Sequence, residues 1–320
     1  MVNLSSDVEN VCRLTPMQEG MLFHNLFSSK STYVIQNIME LTGIIDEEKL
    51  IKSFWGLTKI HEILRSVILY EGVKNPLLVF PKDRKPEITI LEYEGEEEFR
   101  RFIEADKQRG FDMEKDTLFR VNLFKLSDRY YYMVITYSHI IVDGWSYSII
   151  MNDLNRIYTR LCQGMQEDQI IDELKSTRDR LKYSHYANWI GQQDMESALK
   201  YWSTYLEGYC NSVGIIPIDI EKEGADTYKT VKLQLSKNIA DKMYKLCQSL
   251  KITPNTFMET AWGLTLQAYN NVQDVVFGKV VMGRNNALHG IMDMVGLCIN
   301  TIPIRVVSED AETIMGVLKK

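Results

Sequence analysis

Apolar and polar residues recur at regular intervals in several stretches of the chain, and these intervals predict strands followed by helices. Residues 130–138 are rich in aromatic and β-branched side chains, which predicts a half-buried strand. After them, Ile150, Leu154 and Ile157 recur at helical spacing, so we expect a helix from about Trp145. This strand, turn and helix form the clearest predicted unit of the chain.

Further stretches predict the same alternation of strands and helices. Thr15 is a good N-cap, Pro16 suits the first helical position, and Gln18 completes a capping box with Thr15. Apolar residues on one face predict a helix over residues 47–59, and alternation predicts a strand over residues 119–125. Because strands are followed by helices, we expect an α/β fold.

The length and charge of the chain limit the number of domains and the classes of partner that we expect. A chain of 320 residues is too long for one small core, so we expect two domains. The polar stretch over residues 163–182 predicts their boundary, which gives domains of residues 1–175 and 176–320. The net charge of -6 argues against nucleic-acid and anionic-membrane partners, because both bind basic faces.

The cysteines and histidines are scattered, which argues against a disulfide framework and against a metal site. No Cys-x-x-Cys pair occurs, and no two histidines lie four residues apart. Such thiols, an N-terminus without signal-peptide features and the lack of a long apolar run predict a cytoplasmic protein. The cysteines are Cys12, Cys162, Cys210, Cys247 and Cys298, and the histidines are His24, His61, His139, His185 and His289.

The candidate chemistry centres on His139, which follows the predicted strand, and on Asp143 and Gly144 in the next turn. A neutral imidazole can accept a proton near neutral pH, which fits acyl transfer to an amine or hydroxyl without a protein nucleophile. We expect Asp143 to lock the turn by pairing with an arginine, and the Gly144 N–H to face a substrate. From this motif alone, a histidine that only packs in a core is the more frequent case.

The signature motifs of several enzyme families are absent from this sequence. It contains neither Gly-x-Gly-x-x-Gly nor Gly-x-x-x-x-Gly-Lys-Ser/Thr, the two glycine-rich loops that bind nucleotide phosphates. It also has no Gly-x-Ser-x-Gly turn, which would present a serine nucleophile. If the protein is an enzyme, we therefore expect it to work without a bound metal or nucleotide.

Five stretches of the sequence, in the family's order, resemble core motifs of the condensation domains of nonribosomal peptide synthetases. The resemblance covers nearly the whole chain, which makes the combination specific. The stretches are residues 14–24, 61–66, 138–144 and 183–189, and Gly283-Arg284 together with residues 295–301.

The resemblance implies two lobes like chloramphenicol acetyltransferase, joined in a V-shaped pseudo-dimer with the active site at their junction. It also implies amide bond formation between two carrier-bound thioesters, a donor acyl or peptidyl group and the amine of an aminoacyl acceptor. Both substrates would arrive on the 4'-phosphopantetheine of upstream and downstream peptidyl carrier domains, next to an adenylation domain of the same synthetase. The family extends past residue 320, so we expect an incomplete second lobe and a piece that is inactive or poorly soluble alone.

The resemblance also assigns roles to individual residues. His139 matches the family's functional histidine, as a base or as a group that positions the attacking amine. Asp143 and Gly144 match the same motif, and Arg65 is the implied salt-bridge partner of Asp143. The residues implied at the substrate tunnel or the junction are Gln18, Ser138, Trp145 and Asn300.

Three positions depart from the family's motifs. Ser138 stands in place of the first histidine, Ile60 in place of an arginine, and His185 in place of an aspartate. A serine hydroxyl can still donate a hydrogen bond, but it cannot act as an imidazole. The alternative function is therefore a catalytically silent, carrier-binding or recruiting domain of the same fold, which Ser138 favours.

Overall fold

A computed structural model of the chain describes residues 7–27, 31–176, 180–215, 232–285 and 287–319. Both strands and helices occur along these residues, which confirms the α/β prediction. The strands are β1 (Val8–Arg13), β2 (Val34–Thr42), β3 (Val67–Leu69), β4 (Leu77–Pro81), β5 (Glu87–Glu92), β6 (Phe119–Ser127), β7 (Tyr130–Ser138), β8 (Asp274–Val281) and β9 (Asn300–Val307). The α-helices are α1 (Pro16–Phe27), α2 (Glu47–Ile60), α3 (Glu96–Arg109), α4 (Gly144–Cys162), α5 (Glu167–Ser176), α6 (Tyr183–Gly191), α7 (Met195–Tyr205), α8 (Lys237–Leu250), α9 (Pro254–Asn270) and α10 (Ile314–Val317).

The strands pair in three sheets. The first has the order β1-β4-β3 and is antiparallel. The second has the order β2-β7-β6-β5, in which only β5 and β6 run parallel. A parallel pair needs a long crossover connection, and α3 lies in the segment that supplies it. β8 and β9 form the third sheet.

β7 is an inner strand of the second sheet, so both of its edges pair with other strands. It pairs along its whole length with β2, from Val34 opposite Ser138 to Thr42 opposite Tyr130, and its other edge pairs with β6. The predicted strand over residues 130–138 is thereby confirmed, and it ends directly before His139.

Two compact units divide the chain. The first comprises Met1–Gln193 with Met282–Asn300, and the second comprises Asp194–Val281 with Thr301–Lys320. The first unit contains the large core, whereas the second has a small core of Leu266, Val275, Val306 and Val317. No helix in the described ranges is both long and apolar enough to cross a membrane.

These units differ from the predicted division between residues 175 and 176. α6 stays with the first unit because Tyr183 and Tyr186 are buried in its core and because the helix packs against β1. The segment Met282–Asn300 also returns to the first unit, which a boundary drawn along the sequence does not anticipate. The assignment of two acetyltransferase-like lobes stays a prediction.

Candidate active site

The turn that carries His139 is held from two neighbouring elements. The backbone N–H of His139 donates to the carbonyl oxygen of Tyr33 at 2.8 Å, just before β2. The side-chain amide of Gln18 on α1 donates to the carbonyl oxygen of Ile140 at 2.9 Å. Both bonds act on the backbone beside the imidazole, so they fix its position without occupying its ring.

Gln18 is placed for this role by the predicted capping box. Its Oε1 atom accepts a hydrogen bond from the backbone N–H of Thr15 at 3.1 Å, and the Thr15 hydroxyl accepts one from the Gln18 N–H at 3.4 Å. The start of α1 and the turn after β7 are thus joined through one side chain, which is fully buried.

The two ring nitrogens of His139 lie in different surroundings. Nδ1 is buried and has no hydrogen-bond partner among the described residues. An unmade hydrogen bond to a buried polar group costs about 1–3 kcal/mol. Because Nδ1 is enclosed by protein, Nε2 is the ring nitrogen that can meet a substrate.

Asp143 is a structural carboxylate, as the sequence predicted. It is the N-cap of α4, and its Oδ1 atom accepts hydrogen bonds from the N–H and the hydroxyl of Ser146 at 2.8 and 2.6 Å. Its Oδ2 atom accepts from the backbone N–H of Cys298 at 3.0 Å. With its lone pairs engaged and 1% of its surface exposed, Asp143 is not a second base.

Arg284 is the charged partner of Asp143. Its Nη2 atom lies 3.2 and 3.3 Å from the two carboxylate oxygens, and both side chains are 0% exposed. Nη1 donates to the carbonyl oxygens of Ile291 and Met294, both at 2.7 Å. The guanidinium therefore ties the segment after β8 to the turn after β7.

The predicted pairing of Arg65 with Asp143 is wrong. Arg65 forms a salt bridge with Glu9 and donates to the carbonyl oxygens of Thr58 and, at 2.7 Å, Pro81. These bonds hold the 3-10 turn of Glu62–Arg65 against the first sheet, away from the turn after β7. Arg65 therefore has a structural role beside that sheet, and the role expected of it belongs to Arg284.

The Gly-Arg motif of the sequence explains how Arg284 reaches this position. Gly283 has a φ of +68°, and a Cβ atom there would lie 1.7 Å from the carbonyl oxygen of Cys298. Only glycine allows the backbone to approach so closely. The sequence contained this signal, since Gly283-Arg284 and Cys298 both lie in family-like motifs, but it did not show that they meet Asp143.

The remaining predicted site residues fall into two groups. Gln18 and Ser138 are 0% and 1% exposed, so they support the turn from inside and do not line an open tunnel. Trp145 is 44% exposed, and its indole N–H donates to the carbonyl oxygen of Met292 at 2.9 Å. Asn300 is exposed at the start of β9.

Gly144 differs from the other motif residues because none of the described residues requires a glycine there. It is exposed at the start of α4, and a Cβ atom added to it would meet no atom of the described residues within 4 Å. The space beside Gly144 is therefore open to a ligand.

The Cys298 thiol lies beside Asp143, and its buried surroundings suppress its reactivity. Burial raises the pKa of Cys298 to about 12, although the positive charge of Arg284 acts in the opposite direction. The thiol is therefore protonated and is not a nucleophile. Among the described residues, no group of three or more His, Cys, Asp or Glu side chains could hold a metal ion.

Comparison of the sequence with known protein families identifies the family to which the chain belongs. The family model described as "Condensation domain" matches residues 8–320. The chain therefore belongs to the condensation-domain family, which confirms the resemblance seen in its motifs.

Similar curated proteins are much longer than the chain. Bacitracin synthase 1 of Bacillus licheniformis is 35% identical over 322 residues, which cover 98% of this chain and 6% of that protein. Tyrocidine synthase 2 of Brevibacillus parabrevis is 34% identical over 319 residues, which cover 98% of this chain and 9% of that protein. The chain thus spans only a small fraction of the length of these relatives.

Solved structures of low sequence identity share the fold. The first condensation domain of the CDA synthetase matches with a TM-score of 0.71 and 16% identity, over 97% of this chain and 73% of that chain. The X-domain from teicoplanin biosynthesis matches with a TM-score of 0.81 and 19% identity, over 96% of this chain and 68% of that one.

Proposed function

We propose that the chain catalyses amide bond formation between a donor acyl or peptidyl thioester and the amine of an aminoacyl thioester. The observation that carries this proposal is the presentation of His139 Nε2 from a turn whose backbone is fixed by Gln18, Tyr33 and the buried pair of Asp143 and Arg284. Membership of the condensation-domain family supports it.

The reaction requires little from the protein besides holding the amine and the thioester in contact. The amine nitrogen attacks the thioester carbon, the C–N bond forms, the C–S bond breaks, and the proton leaving nitrogen passes to the departing thiolate. An imidazole beside the nitrogen can hold this proton in transit, which is typically worth about 10²–10⁴-fold. Holding the two substrates in contact contributes more than that.

The surroundings of Nδ1 favour positioning by His139 over full proton abstraction. When Nε2 receives a proton, the ring becomes positively charged and keeps an N–H at Nδ1, where the described residues offer no acceptor. Such a buried charged donor is costly. His139 therefore orients the amine and receives its proton only briefly.

The open space at Gly144 supplies the place for the thioester carbonyl. Because no atom of the described part of the chain would meet a Cβ atom there, the exposed start of α4 can lie against a substrate. The N-terminus of a helix also favours negative charge, so it suits an oxygen that becomes an oxyanion.

The proposal extends to the partners. The substrates would be carried on the 4'-phosphopantetheine of upstream and downstream peptidyl carrier domains, with an adenylation domain in the same cytoplasmic synthetase. The names of the curated relatives support this assignment. In this proposal the two acetyltransferase-like lobes form the V-shaped arrangement typical of the family.

A reconstitution assay tests the function. Two carriers are loaded with a donor and an acceptor, mixed with a form of the protein that contains this domain, and the dipeptidyl thioester is followed by mass spectrometry. We expect product with the unchanged protein and a loss of roughly 10²–10⁴-fold in His139→Ala. His185→Ala is the control, because that histidine is exposed on α6.

Two outcomes would contradict the proposal. Equal product from the unchanged protein and from His139→Ala would exclude a role for this imidazole. No product from either protein, with carriers that a related condensation domain can use, would replace the proposal with the catalytically silent, recruiting domain that Ser138 suggested.

A further inference from the structure

A buried phenol, that of Tyr183, links α6 to the segment that bonds Asp143, and the proposed function gives it no role. Tyr183 is the first residue of α6 and begins the family-like motif of residues 183–189. It is 1% exposed, and its hydroxyl donates to the carbonyl oxygen of Leu297 at 3.1 Å. Leu297 directly precedes Cys298, whose backbone N–H donates to Asp143. The phenol therefore holds this segment one residue away from that bond.

The Tyr183 ring also lies directly against the backbone of Gly296. A Cβ atom at Gly296 would lie 1.9 Å from Cδ2 and 2.4 Å from Cε2 of the ring. These distances are far shorter than van der Waals contact, so only glycine lets the ring and the backbone approach so closely. Because a close-packed interior leaves little free space, the ring limits where the Gly296 backbone can lie.

The backbone of Gly296 is connected to Asp143 through the hydroxyl of Ser146. The N–H of Gly296 donates to Ser146 Oγ at 3.0 Å, and this hydroxyl donates to Asp143 Oδ1 at 2.6 Å. Ser146 and Asp143 are buried, so both bonds are shielded from solvent. Asp143 follows His139 by four residues. A continuous set of buried contacts thus runs from the Tyr183 ring to the turn that carries His139.

Tyr183 also reaches the second support of this turn. Its phenol oxygen interacts with the Thr15 hydroxyl, which accepts a hydrogen bond from the backbone N–H of Gln18. The side chain of Gln18 donates to the carbonyl oxygen of Ile140. One buried hydroxyl therefore contacts both the segment that holds Asp143 and the capping box that places Gln18.

We propose that Tyr183 is a positioning residue for the reaction at His139. Its side chain is buried, so it acts on the substrates only through the segments that it holds. This inference rests on the proposed function, because it requires that the position of His139 sets the rate. A tyrosine that only fills the core would affect stability and not the rate, which separates the two roles.

Hydrogen exchange gives a test that does not depend on activity. Tyr183→Phe removes only the hydroxyl and keeps the ring against Gly296. We expect the backbone amides of His139, Ser146 and Cys298 to exchange about tenfold faster in this variant, because a buried bond that holds their segments is lost. Exchange is followed by mass spectrometry of peptides and by NMR.

Tyr131→Phe is the matched control, because it also removes one bonded hydroxyl from a buried tyrosine. Tyr131 lies on β7, is 3% exposed, and donates to Glu47 at 2.9 Å. This variant should leave the three amides unchanged. In the carrier assay, we expect Tyr183→Phe to lower kcat by about tenfold with KM unchanged, whereas Tyr131→Phe changes neither.

Gly296→Ala tests the ring contact separately, because the added methyl group must displace the Tyr183 ring or the segment. We expect faster exchange of the Ser146 amide and a lower kcat, again with KM unchanged. Gly191→Ala is the control for this variant. Gly191 lies on α6, and a Cβ atom there would meet no atom of the described residues within 4 Å.

Three results would overturn the inference. They are unchanged exchange in a folded Tyr183→Phe protein, equal changes in Tyr131→Phe, and faster exchange with an unchanged kcat. If Tyr183→Phe fails to fold, as seen by circular dichroism, exchange in the unchanged protein decides. There the amides of Ser146 and Cys298 should open together, and separate opening would contradict the inference.

Failure of this inference can be distinguished from failure of the proposed function. If the unchanged protein makes no product in the carrier assay, the proposed function fails, and hydrogen exchange alone decides whether Tyr183 holds the turn. If the unchanged protein and Tyr183→Phe form product at equal rates, the proposed function stands and only the positioning role of Tyr183 is lost.

Discussion

The Oδ1 atom of Asp143 lies 3.2 Å from the Nη2 atom of Arg284, and neither side chain is exposed to solvent. The two residues are 141 positions apart. Asp143 also accepts a hydrogen bond from a backbone N–H of the segment that carries Arg284, and Arg284 donates to a backbone carbonyl oxygen of its own segment. A buried pair of this kind stabilises a fold only while both partners are present, because either one alone is an uncompensated buried charge. The pair therefore makes the turn beside His139 depend on the segment after β8.

Removal of the Arg284 charge should destabilise the first unit strongly. We expect Arg284→Gln to lower the free energy of unfolding by about 3–5 kcal/mol, because Asp143 is left buried without its cation. Urea unfolding of Arg284→Gln, Asp143→Asn and the double variant gives the coupling energy. The double variant should be less destabilised than the sum of the two single variants.

Arg65→Gln is the matched control for that cycle. It should also be destabilising, because Arg65 is buried and holds Glu9 and Pro81. Its coupling energy with Asp143 should stay below about 0.5 kcal/mol, the usual range for residues without a shared contact. A large coupling with Arg65 and none with Arg284 would mean that the assignment of the partner is reversed.

Gln18 should affect the reaction through the backbone of the turn. Gln18→Leu preserves side-chain bulk but leaves the Ile140 carbonyl and the Thr15 N–H without their partners. We expect a loss of about 1–3 kcal/mol in unfolding free energy. The carrier assay should show a fall of roughly tenfold or more in kcat with little change in KM, since the imidazole is misplaced and the outer surface is intact.

Gln169→Leu is the control for Gln18, because Gln169 is exposed on α5. The same loss in both variants would show a general effect of losing a glutamine. An unchanged kcat in a folded Gln18→Leu protein would mean that the turn keeps its position without this bond.

The sequence predicted the elements around His139 because their signals are local. The aromatic and β-branched residues of β7, the spacing of Ile150 and Leu154, and the capping box at Thr15 each act within a few residues. These elements lie where the pattern placed them. The position of His139 at the end of a strand followed from them.

The partner of Asp143 could not be predicted in the same way. Its identity depends on the path of the chain between α4 and Arg284, which passes through the second unit and returns at Met282. The close approach of Gly283 to Cys298 and the bond from Cys298 to Asp143 hold Arg284 beside Asp143, and these contacts are set by the fold. The same return of the chain explains why a boundary at residues 175 and 176 does not match the compact units.

Acid should weaken the fold through Asp153. Burial alone would raise the pKa of Asp153, but hydrogen bonds from His61 and Arg180 outweigh it and hold the pKa well below its ordinary value. The folded state therefore binds fewer protons than the unfolded state below about pH 4, so stability is lost as the pH falls through that range. Urea unfolding at a series of pH values should show this slope.

Asp153→Asn should flatten the acid slope and lower stability at neutral pH, because the variant cannot titrate and leaves Arg180 without its carboxylate. Asp128→Asn is the control, since the Asp128 side chain is 93% exposed. An unchanged slope in Asp153→Asn would assign the acid sensitivity to other carboxylates, of which Asp106, paired with Arg120 in the second sheet, is the first candidate.

Thiol labelling should report whether the segment that holds Asp143 is closed. Burial is the main reason that the pKa values of Cys12 and Cys298 are raised to about 12, whereas Cys162 and Cys210 are exposed. The thiolate is the reactive form, so iodoacetamide at about pH 8 should modify Cys162 and Cys210 and spare the buried thiols. Mass spectrometry of peptides identifies the modified positions, and urea should expose all five cysteines.

Cys298 connects this labelling to the site, because its backbone N–H is bonded to Asp143. If the pair of Asp143 and Arg284 keeps the segment in place, Arg284→Gln should raise the labelling rate of Cys298 well before the rate of Cys247, which is buried in the second unit. Equal increases at both cysteines would indicate global unfolding. Rapid labelling of Cys298 in the unchanged protein would show that the segment opens in solution and that the turn beside His139 is held by the Gln18 and Tyr33 bonds alone.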